Sequence, residues 1–522
     1  MFCKWIKMSG CFLILLLLPF LVKGKNEDHK SHALSVASMA PLLELEAKLI
    51  DSLEAYANRL EEKLQVSRSH IPVIRAENEK ARLDAIYYLS IPLNGFSLLR
   101  RLHQDWPKWR TFMKQSVGTV EKRNFDGWKK DLPKAEDLSD ACAGIVRIQK
   151  IYDLKVEDIV RGELDGRQYN STMSTADIFA VGRYLAEGNS SMEAVQWLQE
   201  VHHRIQKELP SAPVHLAIEE VKVLKLLAET YVKNKHYSKA LPLVEQGLML
   251  RAQSSDLLRL FQKIKDLIET QSKPSLKTNN KKLNSSLAEA HRQSCRGLLR
   301  GTTRLHCSYN FSTTHFLRLA PLKVEQIGWD PYVVLYHNVL SPLESAQLIE
   351  LAALDLRTSG VLRSTGVSAN RARSVKARWV MKELNELTRR ITRRVGDMTG
   401  LDLRDSEKFQ IINYGIGGHY TTHKDYFNAS TDLSEKLGDR VATVLFYLTD
   451  VEQGGATVFP KSGYTIYPRA GTALFWYNLH RDGNGDISTM HAACPVIVGS
   501  KWVMTEWIRE RSQIFRRPCL KN

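Results

Sequence analysis

Three side chains in the C-terminal part of this chain have the types that hold a catalytic metal. They are His423 and Asp425, separated by Lys424, and His491 further along. Alternate residues of an extended strand share a face, so His423 and Asp425 point one way and Lys424 the other. Two imidazoles and one carboxylate can take one face of an octahedral ion. Three positions then stay open for a co-substrate and dioxygen, a pattern that suits non-heme iron(II). A lone His-x-Asp arises often by chance, whereas the triple with a lysine after it is far more specific. Zinc is the competing metal, but structural zinc takes four ligands rich in Cys or His, and no fourth ligand is evident.

Lys501 follows the turn Gly499-Ser500 and is predicted on the strand beside His491, facing the same interior. A buried ammonium needs an anionic partner. A dicarboxylate that chelates the metal at one end would present its other end to Lys501. Thr443, on a different strand, could add a hydroxyl to that carboxylate. The alternative for Lys501 is a surface lysine at a strand start.

The elements that must position these groups are short and β-rich. Strand-like runs lie at Tyr332–Tyr336, Phe409–Tyr414, Val441–Leu448, Ala456–Phe459, Thr472–Tyr477 and Pro495–Val503, with helical patterning at Pro342–Leu356 and Lys382–Met398. Such segments, split by Gly, Asn and Asp, predict a two-sheet jelly roll with helices on one side.

The first half reads as helical. Leu42, Leu49, Leu53, Tyr56 and Leu60 recur at helical spacing, which predicts either a seam for another helix or a core helix. Pro92, Asn94 and Gly95 mark a break, and Trp106, Trp109 and Trp128 could pack a small core. Leu227, Ala228, Tyr231, Ala240, Val244 and Gly247 fit the small-and-large positions of a tetratricopeptide unit, with a plain helical bundle as the alternative. A stack of such units offers a concave face to an extended peptide. Lys273-Pro274 and Asn279-Asn280-Lys281-Lys282 read as a linker. The predicted fold class is multidomain α+β. Residues 1–24 are a signal peptide, 25–139 a helical coiled-coil dimerisation region, and 140–270 a tetratricopeptide-like peptide-binding domain. Residues 271–307 are a linker with a disulfide loop, and 308–522 a double-stranded β-helix (jelly-roll) catalytic domain.

Length and charge set the frame. The chain has 522 residues and a formal charge of +17, enough chain for about three domains. Its basic residues are spread out, and the groups Arg371-Arg373-Lys376-Arg378 and Arg389-Arg390-Arg393-Arg394 lack interleaved stacking residues. They read as solvated faces and not as a nucleic-acid site. Lys4 and Lys7 precede an apolar run, Phe12–Val22, too short to span a bilayer; a removed secretory signal is predicted. Cys3 and Cys11 would leave with it. Of the five that remain, Cys142, Cys295, Cys307, Cys494 and Cys519, at least one is free or paired elsewhere. Cys295 with Cys307, and Cys494 with Cys519, would each close a short loop, a constraint of roughly 3 kcal/mol. Sequons at Asn170, Asn189, Asn284, Asn310 and Asn428 agree with secretory entry.

The last 110 residues or so carry a family resemblance. Asn413-Tyr414-Gly415-Ile416-Gly417-Gly418-His419-Tyr420, His423-Lys424-Asp425 and Asp439-Arg440-Val441-Ala442-Thr443 resemble the collagen-type prolyl 4-hydroxylase α subunit. So do Gly454-Gly455-Ala456-Thr457-Val458-Phe459-Pro460, Phe475-Trp476-Tyr477-Asn478-Leu479, His491-Ala492-Ala493-Cys494-Pro495-Val496, Gly499-Ser500-Lys501-Trp502-Val503 and Phe515-Arg516-Arg517-Pro518-Cys519. The order of the remaining segments, the Cys295/Cys307 pair included, extends the resemblance over the mature chain.

The resemblance implies Fe(II) on His423, Asp425 and His491, and 2-oxoglutarate gripped by Lys501 with Thr443 and Tyr414. Tyr420, Arg440 and Trp507 would line the peptide cleft, with Arg373 on a loop beside it. The reaction would hydroxylate C4 of peptidyl proline and release succinate and carbon dioxide, with L-ascorbate rescuing oxidised iron. Family α subunits pair with protein disulfide isomerase as an α2β2 tetramer in the endoplasmic reticulum lumen. This chain has no Lys-Asp-Glu-Leu-type tail, which fits retention through such a partner. It departs from the family in three places. Lys424 and Tyr426 replace Phe, the loop Asn428–Gly438 is shorter, and Ser191, Met192, Glu229 and Val232 stand near peptide-holding tyrosines. A different peptide preference is implied. The alternatives are a hydroxylase of another residue, such as lysine, and a non-catalytic peptide-binding subunit.

Overall fold

The computed structural model describes residues 31–188, 191–207, 216–271, 285–299, 301, 306–358, 361–363, 366–368, 372–427 and 437–518. The predicted signal, the sequons at Asn189, Asn284 and Asn428, and Cys519 lie outside those residues. Among the described residues no helix is long and apolar enough to cross a membrane.

After a 3-10 turn at His32–Leu34, the first long element of the described residues is a 48-residue helix, Val36–Leu83. Ser35 caps it: its side chain accepts from the Ser38 amide, satisfying a donor that the first turn leaves unpaired. The helix buries no residue of its own. Of its predicted stripe, Leu42, Leu49 and Tyr56 are half-buried and Leu53 and Leu60 exposed. Helix Ala135–Tyr152 follows shorter helices. Then Thr175–Glu187, Ser191–Lys207, Glu220–Lys233, Tyr237–Leu250 and Ser255–Gln271 each pack on the next. Gly182 lets Leu198 approach to where a Cβ would meet it at 2.8 Å. Trp197, Leu198, Leu224, Leu227, Ala228 and Val244 are buried in this stack, and the Trp197 indole donates to Gln149 Oε1 at 2.9 Å.

The C-terminal region is built on two sheets. The strands used below are β1 His306–Asn310, β2 Leu322–Trp329, β3 Tyr332–His337, β4 Val375–Val380, β5 Phe409–Tyr414, β6 Tyr420–His423, β7 Arg440–Tyr447, β8 Thr457–Phe459, β9 Tyr464–Ile466, β10 Ala473–Tyr477, β11 His491–Ala493 and β12 Trp502–Arg509. The larger sheet has nine strands in the order β1-β2-β3-β10-β7-β12-β5-β4, with Arg357–Thr358 at its edge; the smaller runs β6-β11-β8-β9. Val333, Ile412, Tyr447, Trp476 and Val503 of the large sheet meet Phe459, Ile466 and Ala493 of the small one in a shared core. The other face of the large sheet is covered by helices Pro342–Ala353 and Glu386–Thr399 through Leu348, Ile391, Val395 and Met398. Each fully buried aliphatic there contributes about 1.5–3 kcal/mol. Being covered on both sides, β5 and β12 are buried along their whole length.

The helices dock on this β region. Tyr152 Oη donates to the Pro495 carbonyl at 2.6 Å and Arg147 to the Gly417 carbonyl at 2.7 Å. The expected cysteine pairing is corrected: Cys295 is bonded to Cys494, with Cα atoms 5.6 Å apart. Helix Ser285–Cys295 packs on β8 and β9, next to β11, which ends one residue before Cys494. Cys307, on the edge strand β1, is exposed and free.

Candidate active site

His423 and His491 are directly opposite each other on the antiparallel pair β6 and β11, so both rings project from one face of the small sheet. Their centroids are 4.2 Å apart. Asp425 lies just beyond the end of β6, with Oδ1 3.6 Å from His423 Nε2 and Oδ2 3.8 Å from His491 Nε2. The ligand atoms of the three residues all lie within 4.8 Å of one another. Lys424 is turned away, its ammonium 4.7 Å from the Tyr426 ring.

The donor set fits a divalent metal. Nδ1 of His423 faces the Thr421 carbonyl at 2.8 Å, and Nδ1 of His491 the Thr489 carbonyl at 3.1 Å. Each carbonyl fixes the tautomer with Nδ1 protonated and leaves Nε2 as a lone-pair donor toward the centre. Burial, with His491 next to it, holds the His423 imidazole neutral down to about 3. Burial alone would raise the Asp425 carboxyl, but His491, His423 and Arg440 outweigh it and hold the group near 2. At neutral pH the site therefore offers a neutral His423 donor and a carboxylate.

Neighbouring rings and one hydroxyl fix these ligands. Tyr420 stacks on His423 at 3.6 Å between centroids, and Trp476 meets His491 edge-on at 4.8 Å. Thr443 Oγ1 donates to Asp425 Oδ2 at 2.8 Å and accepts from Asn478 Nδ2 at 2.9 Å. Thr443, expected beside Lys501 at the co-substrate carboxylate, thus also orients a metal-ligand candidate, and it lines the cavity of the site. Asn478 was not singled out as a functional residue, although it stands inside the motif Phe475–Leu479.

Lys501 is buried, and its ammonium donates to the Gly455 carbonyl at 2.6 Å. The Tyr414 ring lies 4.8 Å from it and the Tyr447 ring 6.0 Å. Tyr447 Oη donates to Thr457 Oγ1 at 2.8 Å. Burial pulls the Lys501 ammonium down to about 7. The Gly455 carbonyl it meets is neutral, so a carboxylate arriving beside the ammonium would restore the charge. Tyr414 thus lies next to Lys501, and Thr457, which lines the same cavity, was not singled out in the sequence.

A cavity of about 50 Å³ is lined by His423, Asp425, His491, Thr443, Tyr414 and Thr457, with Tyr420, Arg373, Trp507 and Thr505 along its wall. The Arg373 guanidinium lies 4.8 Å from the Tyr420 ring and donates to Gln410 Oε1 at 3.0 Å. Arg440 is turned behind the wall: it grips Glu407 at 2.6 and 2.8 Å and stacks 4.0 Å over Trp507. These contacts brace Trp507, which the resemblance also places at the peptide cleft. Glu407, in a polar stretch without a motif, gave no sequence signal.

Comparison with known proteins agrees with this geometry. Residues 35–166 match the family described as Prolyl 4-Hydroxylase alpha-subunit, N-terminal region, and residues 409–509 the 2OG-Fe(II) oxygenase superfamily. A prolyl 4-hydroxylase subunit alpha-1 from Caenorhabditis elegans is 32% identical over 507 residues, covering 93% of this chain and 90% of its own. The Bos taurus subunit alpha-1 is 31% identical over 518 residues, with 94% and 96% covered. Among solved structures, a viral collagen prolyl hydroxylase from Paramecium Bursaria Chlorella virus-1, in its 2OG complex, is 26% identical. It covers 34% of this chain and 95% of its own, with a TM-score of 0.29. With relatives matched over nearly the whole length of both chains, the chain belongs to the prolyl 4-hydroxylase α-subunit family.

Proposed function

We propose that the chain hydroxylates C4 of peptidyl proline in collagen-like sequence, using dioxygen and 2-oxoglutarate and releasing succinate and carbon dioxide. The observation that carries this is the meeting of His423, Asp425 and His491 at a cavity also lined by Tyr414, against whose ring the buried Lys501 lies. Iron(II) held by the three would supply the dioxygen-activating chemistry that couples 2-oxoglutarate decarboxylation to hydroxylation. The chain's own residues do the rest. Lys501 gives the far carboxylate of the co-substrate a desolvated cation, which attracts more strongly than one in water. Thr443 and Asn478 hold the Asp425 carboxylate at one angle. Trp476, Phe459 and Tyr420 pack around the imidazoles and keep bulk water off them. The test is succinate formation with a Pro-Pro-Gly-type peptide, compared between the parent and His423→Ala. Equal activity in the two would end the proposal.

The remaining parts of the chain fit a substrate-handling assembly. We read the helical stack as a tetratricopeptide-type peptide holder, on the strength of a cavity of about 310 Å³ with Gln196, Gln199, Tyr231, His236 and Lys239 on its wall. Dimerisation through the first helix is supported by Leu43 and Leu53, 70% and 68% exposed. A disulfide isomerase partner, an endoplasmic-reticulum location, ascorbate dependence and glycosylation complete the proposal. Of the described sequons, Asn170 is exposed and Asn310 half-buried.

A further inference from the structure

The root of the first helix lies against β5 and β4, and β5 pairs with β12, whose start Lys501 precedes. Residues 31–38 run across the end of β5, where Ile416 donates its amide to the Ala33 carbonyl at 3.0 Å. Gly415 packs so closely there that a Cβ would stand 2.0 Å from that carbonyl. The Lys376 ammonium, from the neighbouring β4, donates to Ser38 Oγ at 3.0 Å.

At the centre is Asn413, fully buried on β5. Its Oδ1 accepts from Ser35 Oγ at 2.6 Å and from the Ala37 amide at 3.2 Å. Its Nδ2 donates to Ser500 Oγ at 3.3 Å and to the Lys501 carbonyl at 3.2 Å. Two lone pairs and two N–H groups are the whole capacity of an amide side chain. Asn413 divides that capacity evenly, half to residues 35–37 and half to the turn that places Lys501. The Lys501 carbonyl also accepts from the Tyr414 amide at 3.1 Å, so the backbone from which the ammonium extends is fixed from both directions.

We propose that Asn413 is a positioning residue for Lys501, and that residues 31–38 hold Asn413 in place, so the root of the N-terminal helix and the 2-oxoglutarate pocket form one coupled unit. The proposal rests on the functional reading above, in which Lys501 takes the far carboxylate. Coupling between two sites is reciprocal. Loosening residues 31–38 therefore weakens 2-oxoglutarate binding, and bound 2-oxoglutarate tightens residues 31–38. The helix that presents its apolar stripe for assembly starts in this segment, so assembly and co-substrate affinity are linked through one amide.

The test uses the full chain, anaerobic and loaded with Mn(II), and measures 2-oxoglutarate binding by calorimetry. Ser35→Ala strikes the helix side of the amide. Asn413→Asp, which is isosteric, strikes the Lys501 side by removing its donor. Both are expected to weaken 2-oxoglutarate at least about fivefold, the low end for coupled sites, with Mn(II) affinity unchanged. A merely structural role would lower melting temperature without this selectivity. In the unmutated protein, hydrogen exchange at the amides of Ala37 and Ile416 slows on adding 2-oxoglutarate; this readout stands if a variant fails to fold. Affinity within twofold of the parent for a folded Ser35→Ala, or exchange at those amides indifferent to 2-oxoglutarate, overturns the proposal. A parent that binds no 2-oxoglutarate at all overturns the functional reading instead.

Discussion

The strands around the metal ligands and the first helix use apolar residues in opposite ways. Strand β12 buries all eight of its residues, while the helix Val36–Leu83 buries none of its 48. A strand between two covered faces is placed by packing within the chain, so side chains on it keep their geometry without help. A helix with an uncovered stripe finds most of its stabilisation outside itself, since isolated helices gain little from propensity alone. The chemistry therefore sits on the self-sufficient part, and the assembly proposed above falls to the incomplete one.

Four changes break or sharpen that contrast, from largest to smallest. His423→Ala removes a metal ligand; turnover should fall roughly a thousandfold or more, because the metal supplies several kcal/mol. A melting curve close to the parent's would show that packing, and not the metal, holds the sheets. Thr443→Val keeps the shape but removes the donor to Asp425. Metal affinity measured by competition should drop about 10–100-fold, as for other residues that orient a ligand.

Third is Glu506, buried on the helix-covered face of β12, its carboxylate 3.7 Å from the Lys382 ammonium. Burial raises it to about 7, with Lys382 opposing. Its folded value lies above its unfolded one, so the stability it contributes is present below about 4.5 and is lost as pH rises through about 7. Urea titrations across that window should lose up to about 1.4 kcal/mol per pH unit from this group, and Glu506→Gln should flatten the slope. An unchanged slope would mean that the face is wetter than its packing indicates. Smallest in the single chain is the pair Leu43→Glu and Leu53→Glu. Each should shift the melting free energy by no more than about 0.5 kcal/mol, as surface changes do, yet sedimentation should show a weakened self-association. A loss of stability comparable to a core substitution would mean that the helix packs within its own chain.

Much of the site was legible because strand alternation and ligand type constrain each other. His-x-Asp on a strand end, a distant His and a following lysine leave few other arrangements. The buried positions Leu227, Ala228 and Val244 were legible from helical spacing for the same reason. The partners were not. The sequence places Thr443 on a strand facing the co-substrate carboxylate, but the register that sets its hydroxyl over Asp425 is not visible in it. Cys295 was read with its nearer neighbour, yet the docking of its helix on β8 and β9 carries it to Cys494. The pairing of Arg440 with Glu407 is likewise a partner that no motif announces. The contact of residues 31–38 with Asn413 joins segments at opposite ends of the chain, and no periodicity records such a meeting.

The central claim is that three ligands and one lysine have separable tasks. Anaerobic equilibrium dialysis with Fe(II) and 2-oxoglutarate tests it most directly. The account predicts one Fe(II) per chain in the parent, none in His491→Ala, and in Lys501→Met full iron with 2-oxoglutarate lost. Iron retained in His491→Ala, or 2-oxoglutarate retained in Lys501→Met, would contradict it.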